Sequence, residues 1–386
     1  MRILHISSGL PEISGGSTFC VELCDKLVAI GHEVKIAILE PKVPNVYPSR
    51  QHVPIVSVGA ILKSKEGRLF DVVHIHGLWH PVLHKAGVWA QKLGIPVIWS
   101  PHGMLAPWAM NHKRWKKWLP WHLYQKRDLK RVSVFLATSE MEVQWIRSFG
   151  FAQPCCVVSL GTHLPEAGKT RQSCHETKLT QQSTTEKKVI LFVGRIYPVK
   201  NLDTLIKAFS LVNPVGKWIL VIVGPDQEGH KAELVKIAHS LHMNISDLSD
   251  GNGDALGPSF TKSNADIIFT GAVFGEQKDN LYRCADFFAL PSHTENFAGV
   301  VVDALAFGVP VMVSDKAPWC EVETMNCGQI CPTDVDGMTS VLTKMMAFTD
   351  EERADMGRRG RLLVERKYTW DAVAEQIVDV YRKMLV

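Results

Sequence analysis

The sequence predicts an α/β protein built from two domains, each with a parallel sheet. Short apolar runs alternate with amphipathic helical patterns along most of the 386 residues, which is typical of parallel strands joined by helices. Hydrophobic residues make up 46% of the chain and charged residues 21%, the composition of a globular protein. A polar, aperiodic stretch at 169–188 divides the pattern into two halves. We therefore expect two doubly wound domains that face each other across a cleft.

Each half supplies its own set of strands. In the first half, apolar runs predict strands at Ile3–Ile6, Val34–Leu39, Val53–Val58, Val72–Ile75, Val97–Trp99 and Val134–Ala137. In the second half, they predict strands at Val189–Val193, Trp218–Val223, Ile267–Phe269, Phe287–Leu290 and Val311–Val313. We expect a first domain at 1–168, a linker at 169–188 and a second domain at 189–369.

Two further segments complete the organisation of the chain. Trp370 to Leu385 has the periodicity of an amphipathic helix, so residues 370–386 form a final helix. Asp247 to Ser263 reads as an inserted surface loop. Its run from Asp250 to Asp254 lacks the later bidentate Glu of an EF-hand, so we do not expect a calcium site there.

Composition excludes several classes of protein. The net charge is only +4, and no apolar run approaches the roughly 18 residues that span a bilayer. The beginning of the sequence, Met1 to Ile6, reads as a strand and lacks the features of a signal peptide. The nine cysteines show neither a Cys-x-x-Cys pair nor zinc-site spacing. We expect a cytoplasmic protein in which Cys20 and Cys24, at helical spacing, are packing residues, and Cys327 and Cys331 are a weak metal candidate at best.

The segment from Pro291 to Gly299 has the pattern of a ligand-binding loop. It follows a buried strand and leads into the helix that carries Asp303. Free backbone N–H groups and the helix dipole attract anions at such a point. Glu295 and Asp303 do not bind phosphate, but carboxylates accept hydrogen bonds from hydroxyl groups. An anion site beside hydroxyl acceptors is typical of a nucleotide-sugar site.

Two basic residues follow another predicted strand. Arg195 comes directly after Val189–Val193 and Gly194, and Lys200 follows five residues later, before an amphipathic helix. Open α/β sheets bind ligands at the carboxyl ends of their strands. A planar guanidinium and a mobile ammonium suit a diphosphate, whereas positive charge beside a helix N-terminus is unfavourable without an anion. This pair therefore predicts a diphosphate site.

These motifs together resemble a known family. Gly194-Arg195-x4-Lys200-Asn201, Phe269-Thr270-Gly271 and Pro291-Ser292-x2-Glu295-x7-Asp303-Ala304 are similar to the retaining glycosyltransferases of family 4, which have the GT-B fold of two Rossmann-like domains. The chain departs from the family pattern twice. Glu295-Asn296-Phe297-Ala298 replaces Glu-Gly-Phe-Gly, and Asp303 replaces a Glu.

The resemblance implies a role for each matching residue. Arg195 and Lys200 bind the diphosphate, Glu295 and the backbone from Phe297 through Ala298 to Gly299 hold sugar hydroxyls, and Asp303 holds the ribose. Gly15 and Gly16, in a loop before a helix predicted at Phe19 to Ala29, lie near the donor phosphates and the acceptor. His102 is the active-site histidine beside the sugar. The final helix crosses back to the first domain. The family uses a nucleotide diphosphate-sugar as donor, with neither a cofactor nor a metal.

Alternatives remain open at this point. The glycine loop and Glu40 at the end of the second strand also suit a dinucleotide-binding dehydrogenase, although the loop is not Gly-x-Gly-x-x-Gly. A non-catalytic nucleotide-sugar-binding protein and a sugar epimerase of the same fold are the other candidates. His74 and His76 share one strand face with metal-like spacing, but the sequence provides no acidic partner nearby.

The stretch from Trp108 to Arg131 combines eight Lys and Arg residues and one Asp with four tryptophans. Tryptophan favours the membrane interface, and basic side chains attract anionic lipids. We expect peripheral contact with the inner face of the cell membrane and a glycan or lipid-linked acceptor of polysaccharide biosynthesis. A basic helix whose tryptophans pack inward is the alternative. Nucleic acid is not an expected partner, because no nucleic-acid module is recognisable.

Overall fold

The computed structural model describes residues 1–10, 15–40, 53–64, 69–166, 187–213, 216–249 and 261–385. The chain divides into two compact units. Unit 1 comprises Met1–Gly161 and Tyr368–Val386, and unit 2 comprises Thr162–Lys367. The run Asp250 to Asp254 and most of the expected linker lie outside the described residues.

Unit 1 contains a seven-stranded parallel sheet in the order β3-β2-β1-β4-β5-β6-β7. Its strands are β1 (Arg2–Ser7), β2 (Glu33–Ile38), β3 (Ile55–Ser57), β4 (Val72–His76), β5 (Val97–Ser100), β6 (Val134–Ala137) and β7 (Cys155–Val157). Its helices are α1 (Gly15–Ala29), α2 (Val58–Lys63), α3 (Pro81–Lys92), α4 (Pro107–Asn111), α5 (Arg114–Pro120), α6 (Lys126–Leu129), α7 (Glu140–Ser148) and, at the end of the chain, α15 (Trp370–Met384); a π-helical turn, Trp121–Gln125, joins α5 to α6.

Both faces of the unit 1 sheet are buried. Successive residues of a strand point to opposite faces, so Ile3 and Leu4 of β1 enter different cores. In one core, α1 and α15 pack on the face of the sheet that carries Ile3. In the other, α3 and α7 pack on the face that carries Leu4. Strands of a sheet that is covered on both faces have continuous apolar sequences, so the central strands are predictable from sequence.

Helix α15 belongs to unit 1 although it follows unit 2 in the sequence. Its Trp370, Ile377 and Tyr381 are buried in the same core as Phe19 of α1. A β-carbon on Gly161 would lie 2.5 Å from the Trp370 ring, so only glycine fits at this position. The helix is therefore a fixed layer of the unit 1 core.

Unit 2 contains a second seven-stranded parallel sheet, in the order β10-β11-β9-β8-β12-β13-β14. Its strands are β8 (Lys188–Val193), β9 (Trp218–Val223), β10 (Ile245–Asp247), β11 (Ile267–Gly271), β12 (Phe287–Leu290), β13 (Val311–Ser314) and β14 (Gly328–Cys331). Its helices are α8 (Leu202–Val212), α9 (His230–Ser240), α10 (Gly275–Cys284), α11 (Gly299–Ala306), α12 (Glu321–Thr324), α13 (Val335–Ala347) and α14 (Asp350–Lys367), with a 3₁₀ turn at Pro198–Lys200.

The predicted strands all exist, and the differences lie at edges and boundaries. The edge strands β7, β10 and β14 were not expected, because they are short and only partly buried and so lack a clear apolar run. Helix α1 begins at Gly15 and not at Phe19 as predicted, so the prediction of a glycine loop up to Thr18 was wrong. Among the described residues, none of the helices is both long enough and apolar enough to cross a membrane.

Candidate functional site

The carboxyl edge of the unit 2 sheet brings the two predicted motifs together. Strands β8 and β12 are neighbours, with Ile190 paired to Phe287 and Leu191 paired to Phe288. Because the two strands are parallel, the segments that follow them leave the sheet at the same edge. Lys200 and Glu295 therefore meet, although they lie far apart in the sequence.

An ion pair forms the centre of this edge. Lys200 Nζ lies 2.5 Å from Glu295 Oε1, and the side chains are only 14% and 12% exposed. The Ser292 hydroxyl donates a second hydrogen bond, of 2.7 Å, to the same oxygen. The His293 amide also donates to the Val199 carbonyl, which joins the two loops through their backbones. The sequence assigned Lys200 and Glu295 to separate parts of a ligand but gave no sign of this direct contact.

Asn201 connects the loop that carries Lys200 to the loop that carries Glu295 through its side-chain amide. Its backbone is left-handed, with φ of 55°, a conformation that Asn tolerates better than most residues. Its buried amide nitrogen donates to the Pro291 carbonyl at 3.1 Å and to the Thr333 carbonyl at 2.9 Å. The sequence motif included Asn201 without a role, and the structure makes it the residue that holds the ion-pair loops in place.

Arg195 lies at the same strand end but has a different partner. Its guanidinium is exposed and donates a 2.8 Å hydrogen bond to Gln227 Oε1. A β-carbon on Gly224 would overlap the Gly194 carbonyl oxygen at 1.8 Å, so glycine allows the loops after β8 and β9 to approach closely. One cation is thus held in an ion pair, and the other is presented to solvent.

Helix α11 begins beside the ion pair with a strained residue. Ala298, its N-cap, has φ of 65°, a left-handed conformation that costs a residue with a β-carbon on the order of 1 kcal/mol. The Phe297 side chain is buried against the Trp319 ring, and the Trp319 indole N–H donates to the Phe297 carbonyl at 2.5 Å. These contacts hold Ala298 in place and direct the N-terminus of α11, which starts at Gly299, toward the edge of the sheet.

Asp303 lies on α11 and has two partners. Thr162 Oγ1 donates to Asp303 Oδ1 at 2.7 Å, and Lys278 Nζ lies 3.3 Å from Asp303 Oδ2. The carboxylate raises the pKa of the Lys278 ammonium and so keeps it charged. Sequence reasoning missed Lys278, because its helix α10 carried no motif.

His102 in unit 1 belongs to a buried group of histidines. It follows β5, and its Nε2 lies 3.0 Å from His76 Nδ1 on the neighbouring strand β4. His76 Nε2 lies 2.9 Å from His5 Nδ1 on β1. Burial lowers the pKa of His102 to about 4 and that of His76 well below its usual value, so both rings are neutral near pH 7.

The sequence pointed to His74 and His76 but missed His5. In the parallel pairing of β1 with β4, His5 lies directly opposite His74, and the sequence alone gives no signal of that register. Ligand atoms of His5, His74 and His76 lie within 4.8 Å of one another, as do those of His5, Cys20 and Cys24. The imidazoles are hydrogen-bonded to one another and to Tyr381 and Ser100.

Gly15 and Gly16 form the first turn of α1. They were predicted to lie in a loop from Ser14 to Thr18, of which Ser14 falls outside the described residues. As helix residues they present backbone N–H groups at the N-terminus of α1, a different geometry from the glycine loop that the sequence predicted.

The basic stretch from Trp108 to Arg131 contains the short helix α4 and then, after a left-handed Lys113, a continuous helical run from α5 through the π-helical turn to α6. Trp115 and Trp118 are 74% and 60% exposed, which contradicts the alternative that all its tryptophans pack inward. Trp121 does pack, against Phe149 at a ring distance of 5.0 Å. A cavity of about 460 Å³ in this region has apolar and basic walls, formed by residues that include Leu105, Met110, Arg114, Lys117, Trp118 and Phe149.

Comparison with known proteins agrees with this architecture. Residues 13–164 match Glycosyltransferase Family 4, and residues 187–347 match Glycosyl transferases group 1. The chain is 25% identical over 321 residues to a GDP-mannose-dependent monoacylated alpha-(1-6)-phosphatidylinositol monomannoside mannosyltransferase from Corynebacterium glutamicum, covering 78% of this chain and 73% of that protein. It is 29% identical over 208 residues to lipopolysaccharide 1,2-N-acetylglucosaminetransferase from Salmonella typhimurium, covering 50% and 47%.

The first curated relatives are matched over 40 to 47% of their own length, so the chain spans less than half of them. Among solved structures, HepE from Anabaena in complex with UDP superimposes with a TM-score of 0.74 at 14% identity, covering 99% of this chain and all of that one. The sequence motifs, the two family matches and the shared architecture lead to one conclusion. The chain belongs to glycosyltransferase family 4, the glycosyl transferases group 1, and has the two Rossmann-like domains of the GT-B fold.

Proposed function

We propose that this protein is a retaining, metal-independent glycosyltransferase that moves a sugar from a nucleotide diphosphate-sugar to a hydroxyl of a glycan or lipid-linked acceptor. The observation that carries the proposal is the edge of unit 2, where the Lys200–Glu295 pair, the exposed Arg195 and the start of α11 lie together. Cations, backbone N–H groups and a carboxylate are the groups that one ligand with a diphosphate and hydroxyls requires.

In this proposal the basic residues bind the diphosphate. The bond from sugar to phosphate breaks with growing negative charge on the leaving oxygen, and fixed positive charge stabilises that state more than the ground state. An ammonium has three N–H donors, so Lys200 can keep Glu295 and contact a phosphate oxygen at the same time. Arg195 adds a planar fork, and the N-terminus of α11 adds its dipole.

The carboxylates accept hydrogen bonds from hydroxyl groups. Glu295 has a second oxygen, Oε2, besides the one that Lys200 and Ser292 share, and we assign it to the donor sugar. Asp303 takes the ribose with Oδ1, which can accept a second hydrogen bond besides that from Thr162, while Lys278 keeps Oδ2. The side chain of Asp303 is one methylene shorter than the Glu usual in the family.

His102 supplies a hydrogen bond to the sugar and not a proton transfer. Its pKa is lowered to about 4, which makes it too weak a base for proton abstraction at neutral pH. We assign the deprotonation of the acceptor to the departing diphosphate, with attack on the same face of the sugar and therefore retention. The N–H groups of Gly15 and Gly16 lie near the phosphates in this proposal.

A lipid-linked acceptor and peripheral membrane contact form the second part of the proposal. The exposed Trp115 and Trp118 are joined by Leu119 and Leu123, which are 54% and 58% exposed, among Lys and Arg side chains. Apolar groups amid basic residues suit a bilayer surface that contains anionic lipids. The names of two relatives contain a lipopolysaccharide and a phosphatidylinositol mannoside, which agrees with an acceptor of this kind.

A donor screen followed by turnover tests the proposal. One UDP-, GDP- or ADP-sugar should raise Tm, since a ligand at 100 times its Kd adds about 2.7 kcal/mol of stability. With that donor, transfer to an acceptor should give a product of unchanged anomeric configuration by NMR, and excess EDTA should leave the rate unchanged. Binding of NAD(H) alone would identify a dehydrogenase, and an epimerised nucleotide-sugar would identify an epimerase. Activity that EDTA abolishes and magnesium restores would contradict the metal-free mechanism.

A further inference from the structure

The cavity of about 460 Å³ in unit 1 lies beside the segment that carries His102. Its walls come from the chain after β5, from α4 and α5, from the π-helical turn and from the end of α7. One of the wall residues, Leu105, follows His102 by only three residues in the sequence. The volume falls within the roughly 300–1,000 Å³ that is usual for ligand pockets. The cavity therefore has the size of a binding site and lies close to the candidate site in the chain.

One part of the cavity wall is apolar and held by the core. Leu105 is 1% exposed and belongs to the same core as α3. Met110, Trp121 and Phe149 are partly buried and pack against that core. The Trp121 ring also contacts the Phe149 ring, at a centroid distance of 5.0 Å. Because these side chains are fixed by packing, the apolar wall is preformed.

The other part of the wall is positively charged. Of the described residues that line the cavity, none is Asp or Glu, whereas Arg114 and Lys117 are cations. These two are three residues apart on α5 and so lie on the same face of that helix. Lys117 Nζ donates to the Ala109 carbonyl and, at 2.8 Å, to the His112 carbonyl. An ammonium has three N–H donors, so Lys117 keeps one for a ligand.

These cations differ from the lysines of unit 2 in their partners. Within the described part of the chain, no carboxylate pairs with Arg114 or Lys117. Burial accordingly lowers the pKa of Lys117, whereas Asp303 raises that of Lys278. A guanidinium fork and an ammonium on one helix face suit a phosphate group. The charged part of the wall therefore lacks an anion that a phosphorylated ligand would supply.

A ligand that uses both parts of the wall is anionic at one end and apolar at the other. Inorganic phosphate would leave the apolar wall in contact with water, and a neutral hydrocarbon would leave the two cations without a partner. Trp118, which is 60% exposed, lines the cavity and also belongs to the exposed apolar surface with Trp115. It therefore connects the cavity with the surface at which a lipid would arrive.

We propose that this cavity binds the phosphate and the adjoining hydrocarbon of a single-chain lipid phosphate, and that this lipid is the carrier part of the acceptor. Arg114 and Lys117 bind the phosphate, while Leu105, Met110 and Phe149 contact the chain. The assignment to the acceptor rests on the proposed function, whereas the binding of a lipid phosphate does not. Peripheral membrane contact holds the protein near every lipid, but this cavity selects lipids that have a phosphate next to one chain.

Calorimetry with decyl phosphate, below its critical micelle concentration, tests the binding directly. Decyl phosphate should bind the wild type at least about tenfold more tightly than decanol, which lacks the charge, or inorganic phosphate, which lacks the chain. Each methylene that leaves water adds about fourfold to the affinity, so burial of a short part of the chain is sufficient. Equal affinity for decyl phosphate and either partial ligand would overturn the proposal, as would no binding of decyl phosphate.

Two variants test whether the ligand binds in this cavity. Arg114→Gln removes a cation and should weaken binding of decyl phosphate about tenfold, the effect of one charged hydrogen bond. Met110→Trp fills part of the cavity and should weaken it at least as much. Lys116→Gln is the matched control, since Lys116 is exposed on the same helix and is not among the wall residues; it should keep the wild-type affinity. Unchanged affinity in both Arg114→Gln and Met110→Trp would overturn the proposal.

NMR of protein labelled with ¹³C-methyl methionine locates the ligand without a change in the cavity. The Met110 signal is assigned by its loss in Met110→Leu. It should shift when decyl phosphate is added to the wild type, and an unshifted signal at saturation would contradict the proposed site. This measurement replaces the affinity of Met110→Trp if that variant does not fold.

Kinetics separate this proposal from the proposed function. Arg114→Gln should raise the KM for an acceptor on a lipid phosphate three- to tenfold more than the KM for the same glycan without lipid. If decyl phosphate binds in the cavity but no acceptor is glycosylated, the proposed function fails alone. If an acceptor is glycosylated but decyl phosphate does not bind, the cavity proposal fails alone.

Discussion

The two sheets have the same architecture, but the candidate side chains at their carboxyl edges differ in charge. In unit 2 the edge is charged, with Lys200 and Glu295 paired at 2.5 Å and Arg195 exposed nearby. In unit 1 the histidines at the corresponding edge are neutral, because burial keeps His76 and His102 uncharged. Fixed charge acts through its field on a ligand, whereas neutral rings act through the direction of their hydrogen bonds. One fold used twice thus presents fixed charge in one unit and neutral hydrogen-bonding rings in the other.

Removal of the charge in unit 2 should have the largest effect. Lys200→Ala should lower kcat/KM at least about a hundredfold, because the diphosphate loses a cation as its negative charge grows. Arg195→Ala should have an effect of similar size. Steady-state kinetics with the donor identified by the thermal screen measures both.

Lys207→Ala is the matched control for Lys200→Ala. Lys207 pairs with Asp203 on the exposed face of α8, where an ion pair contributes little. Its replacement should leave kcat/KM unchanged. Near-normal turnover in Lys200→Ala would falsify the role of the charged edge.

The neutral histidines of unit 1 should make the protein less stable in acid. The pKa of His102 is about 4 in the folded state and near 6.5 in the unfolded state, so the unfolded chain binds more protons between these values. The free energy of unfolding should fall by about 1–2 kcal/mol from pH 7 to pH 5 on account of His102. His74 and His76 shift in the same direction.

Urea unfolding at pH 7 and pH 5 measures this loss. His102→Gln should have a smaller difference between the two pH values than the wild type, because it lacks one of the titrating rings. Equal differences in the two proteins would show that His102 is not held neutral in the fold.

The two carboxylates of unit 2 should affect different parts of the donor. Asp303→Asn should weaken binding of the free nucleotide diphosphate about tenfold, the cost of one charged hydrogen bond. Glu295→Ala should weaken binding of the whole nucleotide-sugar more than that of the nucleotide. Calorimetry with both ligands tests this division of roles, and equal losses for both ligands in both variants would refute it.

The smallest effect concerns membrane contact in unit 1. Wild-type protein should sediment with vesicles that contain anionic lipid, and less so in high salt, since exposed charges are screened beyond about 8 Å at physiological ionic strength. A variant with Lys113, Arg114, Lys116 and Lys117 changed to Glu should bind several-fold less. Equal binding by the two proteins, or none by the wild type at low salt, would exclude a membrane role for the stretch.

The sequence predicted what depends on local pattern. The central strands β8, β9 and β12 were recognisable because strands buried on both faces are apolar throughout. Edge strands such as β10 are half exposed and carry no such signal. The start of α1 was misplaced because glycine is a weak helix former, so the sequence pattern gave no reason to begin the helix at Gly15.

The candidate site was predictable as a set of residues but not as a set of contacts. Lys200 and Glu295 were both selected from their positions after strands. Their ion pair depends on β8 lying next to β12, which the order of strands in the sequence does not reveal. Lys278 and His5 were missed for the same reason, because their partners, Asp303 and His74, lie on other elements.

The position of α15 has a consequence for biosynthesis. The helix completes the core of unit 1 beside α1, yet residues 162–367 leave the ribosome before it. At 5–20 residues per second, unit 1 waits roughly 10–40 s with Phe19 and its neighbours uncovered on that side. The first domain to be translated is therefore the last to be finished, and a chaperone that covers the α1 face during this interval would protect the nascent chain from aggregation.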